Sequence, residues 1–289
     1  MRFQNHNISF IQKNTKLRLI NKSFSEIKEN DYDILMVNSD QTWRKWSNEY
    51  KYFYDLAFLK FAEKWNKPKF VYGASLGINI WNYNKSDEEI AKSLLKDFNF
   101  NGISVREKGA IKLIKKHFGL TPKFVLDPTL LIDKQYYLNL IENYKGNISI
   151  NNSFIFIYTV SNLIEVNSFI QKIIKIYKYK IFWVKKNIKD FIYGIYYCKS
   201  VITDSYHGTL FSIIFNKPFI TFLDENNGKE RFNSLKEVFD IENRLFDINS
   251  KPYITLLQKE LNLNMTIFNL LKKESMQFLK KNLRIHKKY

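Results

Sequence analysis

Four histidines occur in the chain, and one of them, His207, stands where it could move a proton. It lies in Val201-Ile202-Thr203-Asp204-Ser205-Tyr206-His207-Gly208-Thr209, where an apolar, β-branched run gives way to a polar turn and then to the apolar helical stretch 210–215. An imidazole titrates near neutrality and is suited to general acid–base work. The first turn of a helix adds free N–H groups and the positive end of its dipole, a setting for an anion, and Gly208 would let that anion approach the backbone beside Ser205 and Thr209. The competing reading is a capped helix with a structural histidine, since Asp204 or Ser205 is also a good N-cap.

Four further groups of polar residues follow apolar runs. Arg106, in Ser104-Val105-Arg106-Glu107, ends a short strand where a guanidinium can fork onto phosphate or carboxylate, the alternative being a surface pairing with Glu107. Ser39, Asp40 and Gln41 close the run 33–37, Ser75 follows the run 69–73, and Asp127 follows the run 124–126. Each could instead be a turn or a helix cap.

The elements that must position these groups alternate along the chain. Strands are expected over 33–37, 69–73, 102–105 and 124–126, with helices over 86–98 and 107–117. Ser86 and Glu89 form the capping box of the first helix, and Gly119 stops the second. After a polar, Asn-rich stretch at 143–153 the pattern resumes: strands over 154–160, 180–184, 200–203 and 219–223, with helices over 167–177, 190–197 and 208–215. The fold class is therefore α/β, with two Rossmann-like domains facing a cleft, an N-terminal domain over 1–147 and a C-terminal domain over 148–289. In such folds ligands lie beyond the carboxyl ends of the strands. Residues 254–285 repeat apolar residues at helical spacing on a basic background. They read as a helix packed on the body, with contact to an anionic membrane surface as the lesser reading.

Composition narrows the classes. The 289 residues carry a net charge of +18, yet only seven of the 46 basic residues are arginines and the lysines run from Lys13 to Lys288. Such dispersed charge, in a chain also rich in Ile, Asn, Phe and Tyr, suggests A/T-rich codons more than a nucleic-acid stripe, so nucleic-acid binding is not expected. A single cysteine excludes an intramolecular disulfide framework, and no Cys/His cluster has zinc spacing. The first residues lack the apolar core of a secretory leader and no apolar run is long enough for a membrane span, so a cytoplasmic protein is expected, working at most at the inner face of the membrane. Phosphate-loop, dinucleotide and Gly-x-Ser-x-Gly motifs are absent, as is the spaced glutamate pair of many two-domain glycosyltransferases.

Five motifs in order make the chain similar to the polysaccharide pyruvyl transferases from Tyr32 to its C-terminus. They are Tyr32-Asp33 through Asn38-Ser39-Asp40-Gln41-Thr42-Trp43; Tyr72-Gly73-Ala74-Ser75-Leu76-Gly77; Ser104-Val105-Arg106-Glu107; Val125-Leu126-Asp127-Pro128-Thr129-Leu130-Leu131; and Thr203 to Thr209 with Asn216-Lys217-Pro218-Phe219. The resemblance implies a two-domain fold like the GT-B glycosyltransferases, phosphoenolpyruvate as donor, and a glycan acceptor of a bacterial surface polysaccharide, free or lipid-linked, that receives pyruvate as a cyclic ketal. It implies His207 as general acid/base. Arg106, Ser205, Gly208, Thr209 and a basic residue such as Lys229 or Arg231 would hold the donor, with Ser39, Asp40, Gln41, Ser75 and Asp127 on the cleft or acceptor side. No cofactor or metal is implied. Two departures stand out: Asn38 replaces the family's usual glycine, and the strand and Gly-containing turn with which members begin are not found, so the N-terminal domain is expected to lack its first strand and helix. The alternatives are a glycosyltransferase using a nucleotide sugar in the same fold, and a truncated, inactive relative.

Overall fold

The computed structural model describes residues 24–45, 52–78, 80–97, 100–144, 154–161, 164–177, 180–183, 187–224, 228–250 and 252–284. Two parallel sheets organise them. The first takes β1 (Leu35–Val37), β2 (Lys69–Ala74), β3 (Phe100–Val105) and β4 (Lys123–Phe124) in that spatial order. Parallel neighbours need crossovers, which α1 (Phe53–Phe58), α2 (Lys85–Asp97) and α3 (Lys108–Phe118) supply. Period-2 alternation decides the faces. Leu35, Val37, Val71 and Val105 share one core with Phe58, Leu94 and Ile114 of those helices, whereas Phe70, Tyr72 and Val125 share another with Phe278 and Leu279.

Those last two residues belong to the final helix of the chain, α9 (Met265–Arg284), whose apolar spacing is used in packing. Ser275 Oγ accepts from Leu126 N at 2.9 Å, and the Phe268 ring lies 5.3 Å from Phe239 in α8 (Glu230–Phe239). One compact unit accordingly joins Gly228–Phe239 and Asn264–Tyr289 to Ile20–Leu131, and the other joins Ile132–Asn227 to Asp240–Leu263. The expected boundary between 147 and 148 lies outside the described residues. Two segments expected in the C-terminal domain, α8 and α9, thus belong with the first sheet instead. No helix among the described residues is long and apolar enough to cross a membrane.

The second sheet has the order β6-β5-β7-β8-β9, all parallel, from β5 (Phe154–Tyr158), β6 (Lys180–Trp183), β7 (Ser200–Thr203), β8 (Phe219–Leu223) and β9 (Leu245–Asp247). Its helices are α4 (Lys134–Ile141), α5 (Ile164–Tyr177), α6 (Ile188–Tyr197) and α7 (Tyr206–Ile214). Ile155, Ile157, Ile202 and Ile220 pack on Ile170 and Ile173 of α5, while Phe156 meets Phe191 of α6. Arg244, buried just before β9, donates to the carbonyls of Lys259 at 2.8 Å and Glu260 at 3.1 Å, which ties down the chain after β9.

Most expected elements are present with ends moved by one to three residues. The capping box expected at Ser86 is not used: the helix begins at Lys85, and Asn84 Oδ1 accepts from Asp87 N at 2.9 Å, because a short Asx side chain preceding the first turn reaches that N–H. The single helical stretch expected over 254–285 is a short 3-10 turn, Ile254–Leu257, followed after a break by α9.

Gly194 gives a test of the α6 packing. Alanine is the better helix former by about 1 kcal/mol, but a Cβ at Gly194 would overlap the buried Phe156 ring. Overpacking costs about 1–3 kcal/mol and outweighs propensity, so Gly194→Ala is expected to lower the urea midpoint; a raised midpoint would refute this packing.

Candidate functional site

The sequence-expected residues fall into two clusters, one at the carboxyl ends of each sheet. In the first, Asp40 follows β1 with a φ of 81°, and its carbonyl accepts from Ser75 N at 3.1 Å and from Thr42 N at 2.7 Å. This stitches the Ser39-Asp40-Gln41 turn to the end of β2. Trp43 anchors the same turn: it is fully buried, stacks on Phe58 and donates from Nε1 to the Ala57 carbonyl at 2.8 Å.

Arg106 leaves β3 directly into the interior, its side chain without solvent exposure. Its Nη1 donates to the equally buried Asp127 carboxylate, and its Nη2 to Asp40 Oδ1 at 2.8 Å. Asp127 is itself oriented by Thr129, whose N and Oγ1 donate to Oδ1 at 3.0 and 2.6 Å. The alternative of a surface pairing between Arg106 and Glu107 is not what forms; both side chains are buried, and Arg106 is bonded to carboxylates from two other strand ends. Arg231 arrives from α8, mostly buried, with Nη1 3.7 Å from Asp40 Oδ1. Ser39, Asp40, Gln41, Ser75, Arg106, Asp127 and Arg231 therefore form one cluster, in which Asp40 is the exposed carboxylate, its side chain 65% accessible. Lys229, half-buried at the start of the same returning segment, accepts through its carbonyl from Phe232 N at 3.0 Å.

The second cluster sits where the order of the second sheet reverses. From β5 the chain goes to β6 on one side and then to β7 on the other, so the carboxyl ends of β5 and β7 flank a topological switch point. Asp204, buried after β7, reaches across: its two oxygens accept from Val160 N at 2.7 Å and Ser161 N at 2.9 Å. Burial pushes its carboxyl above the usual aspartate range, against the pull of those N–H donors. Thr203 Oγ1 donates to the Tyr158 carbonyl at 2.6 Å and accepts from Ser205 N at 3.0 Å.

Ser205 is the N-cap of α7, its Oγ accepting from Gly208 N at 3.4 Å. His207, half-buried in the first turn, lies edge-on to the Tyr206 ring at 5.6 Å. Gly208 has a different use from the one expected. A Cβ there would collide with Thr203 Oγ1, so the missing side chain lets α7 sit on β7, and the Gly208 N–H is spent on Ser205. Thr209 is fully buried, its hydroxyl 2.7 Å from Thr221 Oγ1 on β8. The expected donor-side residues are thus divided: Ser205, Gly208 and Thr209 lie with His207 at the second sheet, and Arg106 and Arg231 lie with Asp40 at the first.

Two buried carboxyl groups, Glu107 and Asp204, join these clusters without standing out as site residues in the sequence. There Glu107 is visible only as the neighbour of Arg106, and Asp204 only as one possible cap. Among the described residues no group of three or more His, Cys, Asp or Glu side chains could hold a metal ion.

The Arg106–Asp127 pair is fully enclosed, so removing one partner strands a charge at a cost of about 3–5 kcal/mol. Asp127→Ala is expected to lower the unfolding free energy by that order in urea titration. A variant as stable as the parent would show that the guanidinium has no need of this partner.

Residues 2–226 match the sequence model of a family described as polysaccharide pyruvyl transferase, more than half of the chain. No match was found among curated proteins.

Proposed function

The chain belongs to the polysaccharide pyruvyl transferase family, and from that premise we propose that it transfers a pyruvyl group from phosphoenolpyruvate to two hydroxyls of a sugar in a bacterial surface glycan. The observation that carries this reading is His207: a half-buried imidazole in the first turn of α7, at the switch point between β5 and β7, in a turn held by Asp204, Thr203 and Ser205.

The chemistry sets the roles. Protonation of the donor's methylene carbon makes a methyl group and leaves an oxocarbenium-like centre at the adjacent carbon. One sugar oxygen bonds to that carbon, the carbon–oxygen bond to phosphate breaks, and the second sugar oxygen closes the ketal. Two hydroxyl protons are released; one restores the acid and the other leaves with phosphate. In this reading His207 gives and recovers the proton. A cation is also needed for the donor's phosphate and carboxylate.

General acid–base catalysis is worth about 10²–10⁴-fold. With phosphoenolpyruvate and a glycan acceptor, His207→Ala is expected to lose phosphate release by that factor while its circular dichroism and urea midpoint stay near the parent's. A variant as active as the parent would remove His207 from the mechanism. Calorimetry separates the chemistry from nucleotide-sugar transfer: phosphoenolpyruvate is expected to bind, and binding of UDP or CMP in its place would overturn the assignment.

A further inference from the structure

Glu107 follows Arg106 and precedes α3, and its side chain is fully buried. Its two oxygens are treated differently. Oε1 accepts from Ser75 Oγ and from Gly77 N at 3.1 Å, whereas Oε2 has no hydrogen-bond partner among the described residues. The turn held by Oε1 is in close contact with the Ser39-Asp40-Gln41 segment: a Cβ at Gly77 would meet Gln41 Cδ at 2.8 Å. Glu107 is thus the fixed point from which the end of β2 and the turn after β1 are set.

An ionised carboxylate spreads its charge over both oxygens, and leaving one of them buried without a donor is costly. A neutral carboxylic acid concentrates acceptor strength on the carbonyl oxygen and leaves a hydroxyl, which loses far less when unpaired. Two donors on one oxygen and none on the other is the pattern of the neutral acid. The surrounding charges pull toward the ionised form, but that pull is largely answered by other groups. Arg106 and Arg231 are the cations facing Glu107, Asp40 and Asp127 already stand against Arg106, the Ser75–Gly77 turn carries no charge, and neighbouring Lys108 is paired with Glu237.

We propose that Glu107 is a positioning residue that works as a neutral acid, its carboxyl group pinning the Ser75–Gly77 turn beside Gln41 without adding a third negative charge to the cluster around Arg106. Its part in turnover rests on the pyruvyl-transfer reading; its protonation state does not. Burial raises the Glu107 carboxyl above its ordinary value of 4.5, and this outweighs the opposing pull of Arg106, the hydrogen bonds from Ser75 and Gly77, and Arg231. The sign of the pH effect follows. Above 4.5 the unfolded chain releases this proton while the folded chain keeps it, so Glu107's contribution to stability is full below 4.5 and is lost as pH rises toward the raised folded value.

The test compares the full chain with Glu107→Gln and Glu107→Ala in two measurements. In urea unfolding from pH 4.5 to neutrality, the parent midpoint is expected to fall relative to Glu107→Gln as pH rises, with Glu107→Ala below both throughout. If Glu107→Gln instead drops to the level of Glu107→Ala, the site needs the charge and the proposal is overturned. In phosphate release from phosphoenolpyruvate, both the parent and Glu107→Gln are expected to lose rate on the alkaline side as the general acid gives up its proton, with the parent falling earlier or more steeply because Glu107 ionises as well, and Glu107→Ala to lose about a hundredfold in kcat from misplacement of the turn. An alkaline limb unchanged in Glu107→Gln would also overturn it. If the parent releases no phosphate with any acceptor, the pyruvyl-transfer reading fails, and the unfolding measurement still decides the state of Glu107.

Discussion

A guanidinium cannot be neutralised by giving up its proton at any accessible pH, so one that is taken out of water has to be met by carboxylates or carbonyls. Arg106 is such a group, and its partners come from two other strands of the first sheet: Asp127 after β4 and Asp40 after β1. Neither partner can be brought to it unless the strands are parallel and end at one level. The ion pairs therefore fix the relative height of β1, β3 and β4, and the loops that follow those strands have little freedom left. Asp40 adopts a left-handed φ of 81° while its carboxylate stays on Arg106 Nη2. Backbone strain of this kind persists where surroundings over-determine it.

The second sheet solves the same problem with hydrogen bonds in place of ion pairs. Asp204 spans the gap between β5 and β7 by holding two backbone N–H groups, and Thr203 spans it again through the Tyr158 carbonyl. A switch point leaves a crevice because successive crossovers depart to opposite sides, and these two side chains keep its walls in register. His207 is consequently held in a turn whose neighbours are already bonded, which favours an imidazole with a constant orientation over one on a mobile loop.

Much of this was legible in the sequence. β-Branched runs such as Val201-Ile202-Thr203 and Phe154-Ile155-Phe156-Ile157 gave the strands because buried parallel strands need little else. Polar residues just past them gave Ser39, Asp40, Ser75, Asp127 and Ser205, since in a parallel sheet these ends share a side. What could not be read were contacts made over long chain separations. Arg106 and Glu107 look like a local pair, and only the fold turns one toward Asp127 and the other toward Ser75. The return of α8 and α9 to the first sheet depends on Phe239, Phe268 and Phe278 finding surfaces more than a hundred residues away in the chain or on each other. Gly208 looks like a place for a ligand because nothing in the sequence says that Thr203 fills the space.

The central claim is that the family chemistry proceeds here by proton addition to the donor's methylene carbon, and solvent deuterium reads that step directly. With phosphoenolpyruvate and glycan acceptor in deuterium oxide, mass spectrometry of the product should show a pyruvate ketal whose methyl group carries one deuteron. A product that keeps the unsaturated methylene, or an acceptor that gains no pyruvyl mass under conditions where phosphoenolpyruvate is bound, would contradict the account.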